Sequence, residues 1–406
     1  ICNKISRTGW VFDTVKAGEL YSRLSSERSK IDDELEELFP PWEKSEIFIP
    51  KVNNASRGYQ KGVPFTKLHT VKFNPNSRRH IQHCLEQKYD WKPTEFTPSG
   101  DAKIDETTLS KLPFVEAQKL ARSFMLTKRI AMLAEGNSAW LRLVDVDGRL
   151  RHVINPQGTV TGRMSSHSPN LQQIPAVRSE YGPECRELFT VPPGYKLVGA
   201  DLSGIELRVL AHFLDDDGAY AAQILEGDIH QANADAAGIS RDQAKTMIYA
   251  MCYSAGNQRL GEILGKGAEE GKALRDRFYR ANPAFPRLLR RVRNTVQARG
   301  HLIGLDGRKL YVRSEHGALN LLLQSAAALI AKKWLELVHD KIKEQQYPAQ
   351  ILSVVHDEIQ LMTRGDPDYV GSDIALRAAR EAGQFWKIRC DIGAEYSVGR
   401  SWRDTH

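Results

Sequence analysis

An α+β fold spread over two or three domains is what this sequence predicts, and three observations point to it. Two short apolar runs, Lys196-Leu-Val-Gly-Ala-Asp201-Leu and Ile351-Leu-Ser-Val-Val-His356-Asp357-Glu358, read as buried strands that end at or near carboxylates. Long segments of helical periodicity precede and separate them. At 406 residues the chain exceeds one compact core.

Taken in order, residues 14–39 predict a long amphipathic helix through Leu20, Leu24, Ile31, Leu35 and Leu38, stopped by Pro40-Pro41. Residues 41–72 are mixed and loop-like. Asn74-Pro-Asn-Ser77 then starts a helix to about Gln87 with Ser77 as N-cap, and another runs from about Val115 to Leu133. From Trp140 to Asp201 the pattern is strand-like, with turns at Asp147-Gly148 and Asn155-Pro-Gln-Gly158. Residues 204–300 are mainly helical. A hairpin follows about Asp306-Gly307, then a helix from about Ala318 to Lys341, then the second carboxylate hairpin.

Composition is that of an ordinary folded chain, 41% hydrophobic and 26% charged. A formal charge of +7 favours a polyanionic partner, and nine cations between Lys272 and Arg299 sharpen that expectation. A solvated helix face accounts for any one of them; the cluster favours phosphate. Five scattered cysteines without a Cys-x-x-Cys pair imply free thiols in a reducing compartment. His80, His83 and Cys84 lack a second ligand pair, so structural or surface roles are expected rather than zinc. No stretch approaches a membrane span and no signal peptide is visible, so neither a membrane nor secretion is expected. The chain opens Ile1-Cys2-Asn3, as a fragment or processed product would.

Two strands that each deliver a carboxylate to one point make a site for hard divalent cations, which take oxygen ligands and substrate phosphates. A pair of such ions about 3.5–4 Å apart suits in-line phosphoryl displacement. Between the two strands lies Ser240-Arg241-Asp-Gln243-Ala-Lys245-Thr-Met-Ile-Tyr249-Ala-Met-Cys-Tyr253. Ser240 and Gln243 form a capping-box pattern. Arg241, Lys245, Tyr249 and Tyr253, at steps of four, share one side across an arc of about 120°. Two cations followed by two phenol rings match the phosphates, sugar and base of a nucleotide. An amphipathic helix with incidental charges explains the segment equally well in isolation; its place between the carboxylate strands favours the nucleotide.

Further segments carry a family resemblance: Thr161-Gly-Arg163-Met-Ser-Ser-His-Ser-Pro169-Asn-Leu-Gln-Gln-Ile-Pro175, Gly204-Ile-Glu206-Leu-Arg-Val-Leu-Ala-His-Phe213, Gly227-Asp-Ile-His230, Leu305-Asp-Gly-Arg308 and Ala318-Leu-Asn320-Leu-Leu-Leu-Gln324-Ser325. Together with the two carboxylate segments they resemble the polymerase portion of family A (polymerase I-type) DNA polymerases, in particular the replicative enzymes of short-tailed phages that recruit host thioredoxin. The resemblance covers nearly the whole chain.

It implies a right-hand fold: thumb 1–139, palm 140–213 and 320–406, fingers 214–319. It also implies template-directed extension of a primer 3′-hydroxyl with deoxynucleoside triphosphates. Asp201 and Asp357 would be the catalytic, metal-binding aspartates, with the Leu202 carbonyl completing a coordination shell and Glu358 an auxiliary carboxylate. Two Mg²⁺ ions are the implied cofactors, with Mn²⁺ able to substitute. Arg241, Lys245 and His230 would hold the triphosphate, Tyr249 would stack near the incoming sugar and base, and Tyr253 and Glu206 would border the ribose. Glu206 would leave no room for a 2′-hydroxyl. Arg163, Asn320 and Gln324 would reach minor-groove acceptors common to all correct pairs, and His356 would approach the primer terminus.

Departures carry expectations too. Tyr253-Ser254 replaces the usual Tyr-Gly. Segment 41–72 is far shorter than the thioredoxin-binding insertion of the phage enzymes, so weak or absent thioredoxin dependence is expected. No proofreading domain is present in this chain. A monomer in the cytoplasm of a bacterial host is the corresponding expectation. A single-subunit RNA polymerase is disfavoured by Glu206 and Tyr249. A non-catalytic DNA-binding protein is disfavoured by the intact aspartates and cations.

Overall fold

The computed structural model describes residues 1–214 and 216–406. They form two compact units, one of residues 1–13 and 143–406, the other of residues 14–142.

The larger unit is organised on a four-stranded antiparallel sheet. Its strands are β1 (Lys196–Leu202), β2 (Ala349–Val355), β3 (Glu358–Thr363) and β4 (Ala394–Gly399), in the order β2-β3-β1-β4. Both carboxylate runs are therefore strands, as predicted. β1 is central because Leu197, Val198, Ala200 and Leu202 are all buried and leave no polar face to solvate. Gly199 lets the chain terminus lie close: a Cβ there would meet Gln360 Nε2 at 2.5 Å and Thr405 Cβ at 2.7 Å.

Helices follow at fixed points. Gly204, at φ +57°, turns β1 into α1 (Ile205–Phe213). Asp228 caps α2 (Ile229–Ala237) by accepting from the backbone N–H of His230 and Gln231. The predicted capping box starts α3 (Arg241–Cys252): Ser240 Oγ accepts from Gln243 N at 3.3 Å, and Gln243 Oε1 accepts from Ser240 N at 3.1 Å. Met247, Ile248 and Met251 bury the opposite side of α3. The long α4 (Ala318–Glu344) packs on the 370–385 helical segment, tied by Trp334 Nε1–H to the Ala375 carbonyl at 2.9 Å.

Residues 1–13, expected with the first domain, belong to this unit. Trp10–Phe12 is the middle strand of a small sheet with Arg149–Leu150 and Phe189–Thr190. Trp10 stacks on Trp402 at 5.0 Å. A three-residue strand has too few positions for its period to show in sequence.

The cationic segment 272–299 does not form one free patch. Arg277 Nε donates to the Ala237 carbonyl and Arg291 Nη2 to that of Phe213, so these two guanidiniums brace backbone ends.

In the smaller unit, helix Thr14–Leu38 packs against helix Val115–Ile130, and Ser77 caps Arg78–Tyr89 as expected. Residues 41–72 differ from the loop expected. They form an antiparallel hairpin, Trp42–Phe48 with Phe65–Val71. Most of its residues face water, so the alternation that betrays a half-buried strand is missing from the sequence. His80 and His83 pack on Trp42 within this unit, with ring centroids 5.1 and 4.8 Å away. Among the described residues no helix is long and apolar enough to cross a membrane.

Candidate active site

The register of the central strand places the carboxylates. Asp201 on β1 pairs across to Glu358 on β3 and to Glu395 on β4. Asp357 lies in the two-residue turn between β2 and β3, and its backbone carbonyl accepts from the Leu202 N–H at 2.9 Å. That bond ties the two carboxylate segments together at the same end of the sheet. His356, the first turn residue, sits at φ +57°. Glycine is the favoured residue at such a position, so a left-handed histidine stores backbone strain of the kind that gathers at functional sites.

Like charges across adjacent strands repel, and the groups meet this differently. Asp201 reaches solvent, yet surrounding protein displaces much of its hydration; with Asp357, Glu358 and Glu395 nearby, its pKa is pushed up to about 8. Burial also raises Asp357, against the field of Arg163. Glu358 is held below the usual carboxylate range despite its burial, because His406, Gln360 and Trp402 surround it. Trp402 Nε1 and Gln360 Nε2 both donate to its Oε1 at 2.6 Å, and His406 Nε2 lies 2.6 Å from Oε2. The sequence reading put Glu358 beside the aspartates as an auxiliary group. In the structure its side chain is engaged by this network.

Asp201 and Asp357 fit a divalent cation by the chemistry of their donors. They are hard oxygen ligands with no ion pair among the described residues, and both are raised in pKa chiefly by burial. No group of three or more His, Cys, Asp or Glu side chains forms a ready-made cage among the described residues. A two-carboxylate site that completes its shell with substrate oxygens is the form that magnesium usually takes.

A second group converges on Glu206, in the first turn of α1. Arg163 Nη2 donates to Glu206 Oε1 at 2.9 Å, and the Tyr253 hydroxyl donates to the same oxygen at 3.3 Å. Gln324 Nε2, on α4, donates to the Tyr253 hydroxyl at 3.0 Å. Asn320 is half-buried one turn earlier on the same side of α4. Arg163, His356, Asp357 and Lys332 line one cleft.

The third group is the outer face of α3. Arg241 and Lys245 are exposed, while Tyr249 is half-buried and its phenol is pushed up to about 12, chiefly by burial and then by the Glu206 charge. His230, on α2, lies 6.3 Å from the Tyr249 ring, and burial followed by the Lys245 and Arg241 charges lowers its pKa. Arg241 Nε pairs with Asp228 Oδ2 at 2.5 Å. Ser254, where the sequence departs from the family pattern, takes φ +58° just beyond the helix.

The predicted residues other than Asn320 fall into these three groups; Asn320 shares the α4 face of Gln324 but makes no hydrogen bond with them among the described residues. Four residues were missed. Asp228 stands inside the quoted Gly227–His230 segment and could have been read as a helix cap. Glu395, Trp402 and His406 reach the site only through strand register and the path of the chain terminus, which no local pattern announces.

Comparison with known proteins shows the family and the fold. Residues 59–404 match the model of DNA polymerase family A. The DNA-directed DNA polymerases of Enterobacteria phage T3 and Escherichia phage T7 are each 37% identical over 481 aligned residues, covering 99% of this chain and 68% of theirs. The solved POL domain of Pol1 from M. smegmatis, in complex with DNA primer-template and dNTP, has the same fold with a TM-score of 0.80 at 23% identity, over 99% of this chain and 68% of that one. The family match and these phage relatives identify a nucleotidyltransferase, a DNA-directed DNA polymerase of phage-like type. The chain belongs to DNA polymerase family A.

Proposed function

We propose that this chain extends a primer 3′-hydroxyl on a DNA template by two-metal-ion nucleotidyl transfer, as a phage replicative polymerase. The observation that supports it most is the Asp201–Asp357 pair, brought to one end of the sheet by the Leu202 N–H to Asp357 carbonyl bond. In this reading the primer hydroxyl attacks the α-phosphorus of a deoxynucleoside triphosphate and pyrophosphate leaves. Asp201, Asp357 and the Leu202 carbonyl would hold two Mg²⁺ ions, or Mn²⁺ in their place, which would supply Lewis-acid stabilisation of the developing charge.

The remaining residues bind and orient. Arg241, Lys245 and His230 take the triphosphate, whose charge competes with Asp228 for Arg241. Tyr249 packs on the sugar and base, and Glu206, bordered by Tyr253, occupies the space of a ribose 2′-hydroxyl. Arg163, Asn320 and Gln324 face the minor groove of the terminal pairs, and His356 faces the primer end. Glu358 belongs to the site by fixing the strand end that carries Asp357. Residues 14–142 serve as the thumb, the α3 region as fingers and the β1–β4 sheet as palm.

The phage relatives align over 481 positions against 406 residues here, so they carry insertions within the match. With the short 41–72 segment taken as the place of such an insertion, we infer a reduced thumb and weak thioredoxin dependence, and we take the working unit to be a monomer on primer–template DNA in the host cytoplasm.

Primer extension tests the reading. Asp201→Asn or Asp357→Asn should slow extension by at least ~10²–10³-fold, the scale of losing one preorganised electrostatic stabiliser. Primer–template affinity should change far less, since phosphate contacts dominate it. Near-normal extension by either variant sinks the proposal.

A further inference from the structure

Glu206 is braced from two directions. Its side chain is 13% exposed, and Arg163, 24% exposed, supplies the charged partner. The Tyr253–Gln324 pair supplies a neutral one. Both bonds fall on one oxygen, Oε1, so the carboxylate is held by a single edge.

A side chain that excludes a hydroxyl by occupying its space must be kept from rotating away. Glutamate has three rotatable bonds, and a half-buried carboxylate stripped of its cation gains by swinging toward water. Arg163 prevents this with one of its five N–H donors, and the others remain for acceptors elsewhere. Purine N3 and pyrimidine O2 in the minor groove are acceptors of that kind. One guanidinium can therefore touch both the terminal base pair and Glu206.

We propose that Arg163 is a positioning residue for Glu206, linking the minor groove of the primer terminus to discrimination between deoxyribose and ribose. The inference rests on the reading of Glu206 as the group that excludes the 2′-hydroxyl. It adds that this exclusion depends on a second residue, which acts by holding Glu206 in place. A mispaired terminus, which displaces the minor-groove acceptors, should then loosen sugar selection as well.

The test is single-nucleotide extension with matched deoxy- and ribonucleotides, read as the ratio of kcat/KM values. This ratio is internal to each protein, so a smaller folded fraction does not alter it. Glu206→Ala should raise relative ribonucleotide use. Arg163→Ala should raise it by about 10-fold, the scale of one charge-assisted hydrogen bond, and Arg163→Lys by less. In the Glu206→Ala background, Arg163→Ala should change the ratio by no more than about twofold, since residues acting through one another are not additive. In the unmutated protein a terminal mismatch should lower the deoxy preference, and in Arg163→Ala it should not.

An unchanged ratio in Arg163→Ala, with Glu206→Ala relaxed, overturns the positioning role and leaves the sugar gate standing. Effects that multiply in the double variant overturn it too. An unchanged ratio in Glu206→Ala overturns both.

Discussion

Asp201 and Glu358 stand directly opposite one another across the β1–β3 pairing, and their carboxylates are treated in opposite ways. Glu358 is 6% exposed and surrounded by the Trp402 indole, the Gln360 amide and His406, so it stays ionised. Asp201 receives no comparable partner and is pushed up to about 8. The Trp402, Gln360 and His406 contacts thus favour the ionised form of one of two facing carboxylates, and the other has no such support.

Glu358→Gln should act on stability before it acts on chemistry. The amide oxygen can still accept from Trp402 and Gln360, but the charge that strengthens both bonds is lost, and an amide nitrogen replaces Oε2 opposite His406 Nε2. The cost expected in chemical denaturation is about 1–3 kcal/mol. Extension by the folded fraction should fall far less than in Asp201→Asn. A loss in kcat equal to that of Asp201→Asn, with unchanged stability, would assign Glu358 to the chemistry instead.

Asp228→Asn should tighten nucleotide binding. The aspartate caps α2 through Oδ1 and pairs with Arg241 through Oδ2. Asparagine keeps the cap, and the charge that competes with a triphosphate for Arg241 is gone. A several-fold lower Kd for the nucleotide in a ternary complex is expected, measured at fixed magnesium. A higher Kd would mean that the pair preorganises Arg241.

Tyr249→Phe should raise discrimination against dideoxynucleotides. The half-buried phenol stays protonated at neutral pH and can donate where a 3′-hydroxyl is absent. Losing that donor leaves polar groups unpaired, a deficit of about 1–3 kcal/mol or roughly 5–150-fold in selectivity. The matched deoxy/dideoxy ratio of kcat/KM in both proteins decides this; equal ratios would make Tyr249 a packing residue.

Mild acid should destabilise the larger unit through His152. Burial lowers its pKa to about 4, with Nδ1 2.9 Å from Ser166 Oγ and Nε2 3.4 Å from the Leu352 carbonyl. Because the folded value lies below the unfolded one, this contribution is fully present above about pH 6.5 and lost as pH falls toward 4. It amounts to about 3 kcal/mol over that window. Unfolding free energies of wild type and His152→Leu at pH 7 and pH 4.5 should show a shallower fall in the variant. Parallel curves would exclude His152 as the source.

The sequence by itself determined the elements whose chemistry is local. The α3 capping box, the apolar strand ending in Asp201 and the regular face of Arg241, Lys245 and Tyr249 are properties of neighbouring residues, so periodicity exposes them. The many ordered motif matches carried the family for the same reason. Tertiary structure alone decided what depends on register and on the route of the chain. It set Glu395 and Glu358 on either side of Asp201, brought Trp402 and His406 back over Glu358, and joined Arg163 and Gln324 through Glu206 and Tyr253. It also made a hairpin of 42–71, whose exposed faces carry no two-residue alternation, and moved residues 1–13 into the larger unit through a strand three residues long. These contacts join residues tens to hundreds of positions apart. Their energy comes from packing and from charges meeting in space, neither of which leaves a mark on either stretch alone.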